Sequence, residues 1–155
     1  MKMRVACLAA VMLLLFSAGC AKQSGKVTAD AGTIADEIVE NEKFVDQMSA
    51  IDQKTAVKIY GLKSEDVAEA KVYESTSATA EEVAVFEAKG KDAADRIKKA
   101  ADTRIDDQKT AYEGYQPKEM KKLETPLLVQ DGNYVVLVVA DDTSAAKKVT
   151  DKYLK

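Results

Sequence analysis

The chain of 155 residues contains no histidine and no tryptophan, two cysteines, two prolines and only 6% aromatic residues. The missing imidazole removes histidine-based acid–base catalysis, both common nucleophile triads and most metal sites. Neither charge dominates. Twenty-three basic residues against 26 acidic ones make no electrostatic sheath for nucleic acid. The chain also has no G-x-S-x-G elbow, no phosphate-cradling glycine loop and no calcium-loop spacing. An enzyme, a metal site, a cofactor and a nucleic-acid partner are therefore not expected. What is present, 46% hydrophobic and 32% charged residues, suffices for one domain with one core.

The strongest signal is N-terminal. Lys2 and Arg4 precede an apolar or small run from Val5 to Ala18, and Ser17-Ala18-Gly19-Cys20 closes it. Charge, apolar run and small residues in that order read as a secretory signal peptide. The run of 14 residues is short for a spanning helix, which needs about 20. Small residues followed at once by Cys20 and a polar linker resemble a bacterial lipobox, which implies cleavage before Cys20 and a diacylglyceryl thioether on its sulfur. Two acyl chains hold a protein stably where one does not. The expected organisation is a signal peptide over 1–19, a lipidated Cys20 with a flexible tether over 20–31, and a globular domain over 32–155. Loss of Lys2 and Arg4 leaves 21 basic and 26 acidic residues, so the lipid and not the body must hold the membrane. The expected location is the cell membrane, on its extracytoplasmic side.

Periodicity outlines the domain. Thr33 is a candidate N-cap for a helix with Ile34, Ile38, Val45 and Met48 on one stripe. Asp52 to Tyr60 reads as a short helix stopped by Gly61. Ala70–Glu74 and Glu82–Lys89 read as strands, although Thr79 and Glu82 also match a capping box. Lys91 to Tyr115 is the clearest helix, with Ala94, Ile97, Ala101, Ile105, Gln108, Tyr112 and Tyr115 recurring every three or four positions. Leu127–Gln130 and Asn133–Ala140 flank Asp131-Gly132, a two-residue hairpin signal, and a last helix begins at Thr143 or Ser144. Leu128, Val135, Leu137 and Val139 then share one hairpin face, and Leu127, Val129, Tyr134, Val136 and Val138 the other. With both faces apolar, the hairpin is either covered on both sides by the domain's own helices or offers one side as a docking surface. The expected fold is a single α+β domain, α-β-β-α-β-β-α, with an antiparallel four-stranded sheet packed by helices. An overlay at an offset of 52 residues, Val85 on Leu137 and Ile97 on Val149, raises a ββα pseudo-repeat.

Taken together, the lipobox, GTIADEIVE, IYGL, TSATAEEVAVFEAK, RIDDQKTAYEGYQP and DGNYVVLVVADD resemble a family of small lipoproteins from Gram-positive anaerobes that is catalogued as a domain of unknown function. The resemblance implies a lipid-anchored extracellular α+β domain and carries over no residue except the lipidated Cys20.

The densest polar and aromatic cluster is Arg104, Gln108, Tyr112 and Tyr115, one helical turn apart, with Asp107 beside it. Gln108 interrupts an apolar face, and a buried amide must either satisfy backbone groups or line a polar pocket. These four are the candidate ligand-contacting residues. Asp106-Asp107 diverge by about 100° on a helix and cannot easily share a proton or a metal ion. Asp141-Asp142-Thr143-Ser144 suits a helix start, and Lys118, Lys121 and Lys122 suit solvated faces. The leading functional expectation is a binding or scaffolding module in the cell envelope, with an envelope protein or peptide as partner. The alternative is a carboxylate-based extracellular hydrolase that uses Asp107 or Glu82, marked by two convergent carboxylates about 5–9 Å apart.

Overall fold

The computed structural model describes Val27 and residues 29–154. The expected signal peptide, Cys20 and most of the expected tether lie outside the described residues. Among these residues no helix is long and apolar enough to cross a membrane.

The chain folds into one five-stranded antiparallel sheet with helices on both faces. The strands are β1 (Ser49–Ile51), β2 (Val67–Glu74), β3 (Glu82–Ala88), β4 (Leu127–Asp131) and β5 (Tyr134–Val139), in the order β1-β2-β3-β5-β4. The helices are α1 (Ala31–Asn41), α2 (Gln53–Ile59), α3 (Lys91–Tyr115), α4 (Met120–Glu124) and α5 (Ser144–Tyr153), with a 3-10 turn at Pro117–Glu119. The four-stranded expectation is thus corrected to five. β1 has only three residues, too few to show an alternating pattern, and it exists because Ser49, Ala50 and Ile51 pair with Glu74, Tyr73 and Val72. The seven-element order also left out α4, and left out α2 although Asp52 to Tyr60 reads as that helix.

Local chemistry explains the boundaries. The side chain of Asp30, not Thr33, caps α1 by accepting the Thr33 N–H at 2.6 Å. Ala31 is fully buried and Val27 and Ala29 pack on the core, so the folded unit begins inside the span read as tether. Helix α1 stops at Asn41, and Val45 is 72% exposed instead of continuing its stripe. The backbone N–H groups of Val45 and Asp46 bond the Glu81 carboxylate, which holds that segment out of a helix. Asp52 caps α2, and Gly61 adopts φ +61° just beyond it, the left-handed conformation that glycine reaches without steric cost.

The β4–β5 turn falls on Gly132-Asn133, one residue later than read, since Asp131 pairs with Tyr134. That shift moves each cross-strand partner by two positions, so side-chain parity survives and both faces come out as expected. Leu128, Val135, Leu137 and Val139 join the core with α2 and α3, whereas Leu127, Val129, Tyr134, Val136 and Val138 join the one with α1 and α5. The hairpin is covered on both sides by the domain itself. On the first face Tyr60 meets the Phe86 ring edge-on at 4.9 Å, and full burial of one such ring is worth about 2–3 kcal/mol.

The same division rules out the pseudo-repeat. Ile97 of α3 packs on the first face and Val149 of α5 on the second, so residues paired by the 52-residue offset lie on opposite sides of the sheet. A two-fold axis relating the antiparallel strands β3 and β5 runs normal to the sheet and cannot exchange its faces. The two ββα units share a pattern and differ in hand.

Candidate functional site

The β2–β3 ladder sets Glu74 directly opposite Glu82. Opposed residues of an antiparallel pair project to the same side. Here that side faces α3, where Arg104, Gln108 and Tyr112 follow one another at single-turn intervals. Arg104 donates from Nε and Nη2 to Glu82 Oε2 at 3.1 and 3.0 Å and from Nη2 to Glu74 Oε1 at 2.7 Å. Gln108 Nε2 donates to the same Glu82 oxygen at 2.7 Å, and the Tyr60 hydroxyl donates to the other. Glu82 is 1% exposed and accepts four hydrogen bonds, so a buried anion sits in a cradle of donors. Burial, then the Glu82 charge, pushes the Tyr60 phenol well above its usual range, so it stays a donor.

Around this cradle lies a cavity of about 70 Å³, walled by Glu74, Glu82, Arg104, Gln108, Tyr112 and the 75–80 connection between β2 and β3. The Tyr112 hydroxyl donates to the Thr79 carbonyl at 2.5 Å, and Gln116 Nε2 donates to the Ala78 carbonyl at 3.2 Å. Tyr112 of α3 and Gln116, just past its end, thus pin a loop in which Ser77 takes φ +71°, an unfavourable conformation for serine. The Gln108 carbonyl is buried and receives no hydrogen bond. Turning the amide over would set that oxygen against the Glu82 carboxylate, so the orientation is fixed by its partner. Burial, then the neighbouring Glu82 charge, raises the Glu74 carboxyl above its ordinary value despite the opposing pull of Arg104.

Three of the four candidate residues therefore converge: Arg104, Gln108 and Tyr112. Tyr115 does not, being 72% exposed near the end of α3. Asp107 is exposed and lines no part of the cavity. Glu82, the other carboxylate considered for hydrolysis, has its acceptor capacity taken up by four donors.

A second polar cluster escaped the sequence reading. Lys122 is 4% exposed and ion-pairs with Glu81 at 3.1 Å and Glu119 at 3.0 Å, although its run of lysines suggested a solvated face. Glu81 also accepts from Val45 N, Asp46 N and Thr79 Oγ1. Burial lifts the Glu81 carboxyl, but the two backbone N–H groups and Lys122 together hold it below its usual value. Its only sequence signal was Glu81-Glu82 standing before an apolar strand. One Ser-x-x-Lys spacing occurs, at Ser144 and Lys147, but Lys147 is exposed and bonds Asp151 at 2.9 Å. Among the described residues no group of three or more Cys, Asp or Glu is arranged to hold a metal ion.

A family model, described as a domain of unknown function (DUF4358), matches residues 28–140. The match spans well over half of the chain, and the chain belongs to that family. No curated protein and no solved structure matched it.

Proposed function

We propose that this member of the DUF4358 family is a lipid-anchored binding module, held on the outer face of the cytoplasmic membrane by a diacylglyceryl group on Cys20, whose site is the cavity beneath the 75–80 loop. The observation that carries the binding role is the convergence of Arg104, Gln108 and Tyr112 on a polar cavity, with the buried, unpartnered Gln108 carbonyl beside it. Leaving a buried acceptor unmade costs about 1–3 kcal/mol, which a bound guest can recover. Binding without chemistry fits the cradle: the four hydrogen bonds that Glu82 accepts already occupy its carboxylate oxygens. The support for anchoring is the order of charge, apolar run and Ala18-Gly19-Cys20.

Two measurements on the full chain test the proposal. Fractionation of cells expressing Cys20→Ala is expected to move the protein out of the membrane, and retention there ends the anchoring claim. A photo-crosslinking side chain at position 77, on the cavity rim, is expected to give a discrete envelope adduct that the same group at the exposed position 148 does not. Identical adducts from both positions, or none from position 77, end the binding claim.

A further inference from the structure

The binding reading leaves the guest open. Its chemical class, which rests on that reading, is narrowed by the hydrogen-bond pattern of the cavity. Several side-chain donors around the cavity are turned onto its own walls. Arg104 and Gln108 Nε2 serve Glu82, Arg104 also serves Glu74, Tyr112 and Ser75 serve the Thr79 carbonyl, and Thr79 Oγ1 serves Glu81. One acceptor there is unmet, since Gln108, only 9% exposed, keeps a carbonyl with no donor. Charge runs the same way. Of the residues lining the cavity, the carboxylates Glu74, Glu81 and Glu82 stand against one cation, Arg104, and Lys122 meets Glu81 from outside the cavity. An anionic or carbonyl-bearing guest would therefore meet like charge and acceptors. A cationic donor would meet what it needs.

We infer that the cavity beneath the 75–80 loop receives a primary ammonium group, with Glu74 as its counter-charge and the Gln108 carbonyl as an acceptor. An ammonium has three donors and no acceptor, which complements this wall. About 70 Å³ accommodates that group and the carbon bearing it, at roughly 30 Å³ per water-sized unit. Calcium takes six to eight oxygen ligands, whereas the Glu82 and Glu81 oxygens are already engaged. The Gln108 carbonyl is sealed from solvent, so the guest reaches it as the pinned loop, with its strained Ser77, yields. The group can come from a chain terminus or from a lysine-like side chain.

The test is side-chain amide NMR of the full chain in detergent micelles, with the Gln108 signal identified by its loss in Gln108→Leu. n-Butylamine is the ammonium probe, and butyrate and n-butanol are its anionic and neutral counterparts. Alanine methylamide and Nα-acetyl-lysine methylamide distinguish terminus from side chain. A saturable shift of the Gln108 signal is expected with butylamine and with at least one of the two amide probes, and none with butyrate or butanol. Glu74→Gln should weaken butylamine binding about tenfold, the effect of losing one charge-assisted contact, with the far-UV circular dichroism unchanged. No saturable shift with butylamine, an equal shift with butyrate, or unchanged binding in Glu74→Gln overturns the inference. If the position-77 adduct persists after such a failure, the binding role stands and only the ammonium assignment falls.

Discussion

Glu82 is the residue on which this side of the sheet depends most, and a conservative change there has a calculable cost. Glu82→Gln keeps shape and volume and removes the charge. The amide oxygen can still face Arg104 and Gln108, and the amide nitrogen can face the Tyr60 hydroxyl, which then accepts. What is lost is the anion opposite a guanidinium that is only 22% exposed. Removing one member of a buried pair costs about 3–5 kcal/mol. Arg104 retains Glu74 at 2.7 Å, so the lower end applies, about 3 kcal/mol. In urea denaturation followed by circular dichroism this is a lower midpoint at unchanged slope, and on heating a fall of roughly 10 °C. Glu74→Gln is the control. Burial and the Glu82 charge hold the Glu74 carboxyl above its ordinary value in the folded state, so the fold favours its neutral form. Between the ordinary and the raised value the native state binds the extra proton, and stability therefore falls as pH rises through that window. The neutral amide escapes that loss, and Glu74→Gln should change stability by less than about 1 kcal/mol at neutral pH. A Glu82→Gln cost below about 1 kcal/mol, or equal costs for the two variants, would refute the picture of Glu82 as an ionised hub.

Asp66 is 8% exposed in its side chain, and its carboxyl lies below the usual value, first through the hydrogen bonds from Arg96. A depressed carboxylate contributes stability above its unfolded value that is lost as pH falls through the folded one. The urea midpoint should therefore drop below about pH 4, and Arg96→Met should flatten that drop; an unchanged acid profile counts against the pair. Tyr112→Phe removes the 2.5 Å bond to Thr79 and should cost about 1 kcal/mol. Backbone amide exchange should accelerate over residues 76–80, and unaltered protection there would show that Tyr112 does not pin the loop.

How much was legible depends on what each residue answers to. Helix α3 was read with both ends correct because 25 residues of apolar recurrence average out local noise. The β4–β5 faces came out right despite a misplaced turn, because parity and not position decides which way Val135 and Val136 point. Gln108 was conspicuous because an amide on an apolar stripe demands a partner. What failed was non-local. Val45 and Asp46 are captured by a carboxylate about 35 residues away, and β1 exists only through its pairing with β2. Lys122 belongs to a five-residue helix whose periodicity is too short to reveal a buried side. Tyr115 continued the stripe in sequence, but the helix carries it out to solvent at 72% exposure. The Glu74–Glu82 pairing needed the β2–β3 register, which no single segment specifies.

Glu81 and Glu82 carry the same non-locality into energetics. They are chain neighbours, 2% and 1% exposed, and such pairs ordinarily fail to act independently. Their surroundings are nevertheless disjoint. Glu81 is held by Val45 N, Asp46 N, Thr79 Oγ1 and Lys122, and Glu82 by Tyr60, Arg104 and Gln108. Each anion contacts a different cation and shares no donor with the other, although both line the cavity. Like charge at that spacing still repels. Each anion has a cation in contact, however, and the field of Lys122 or Arg104 offsets part of that repulsion. In a cycle of Glu81→Gln, Glu82→Gln and the double variant, the coupling energy should therefore stay within about 0.5 kcal/mol, the range of independent sites. A coupling of about 1 kcal/mol or more in either direction would mean that the two clusters form one network through the start of β3, and that the cavity is mechanically tied to the 42–48 segment that Glu81 restrains.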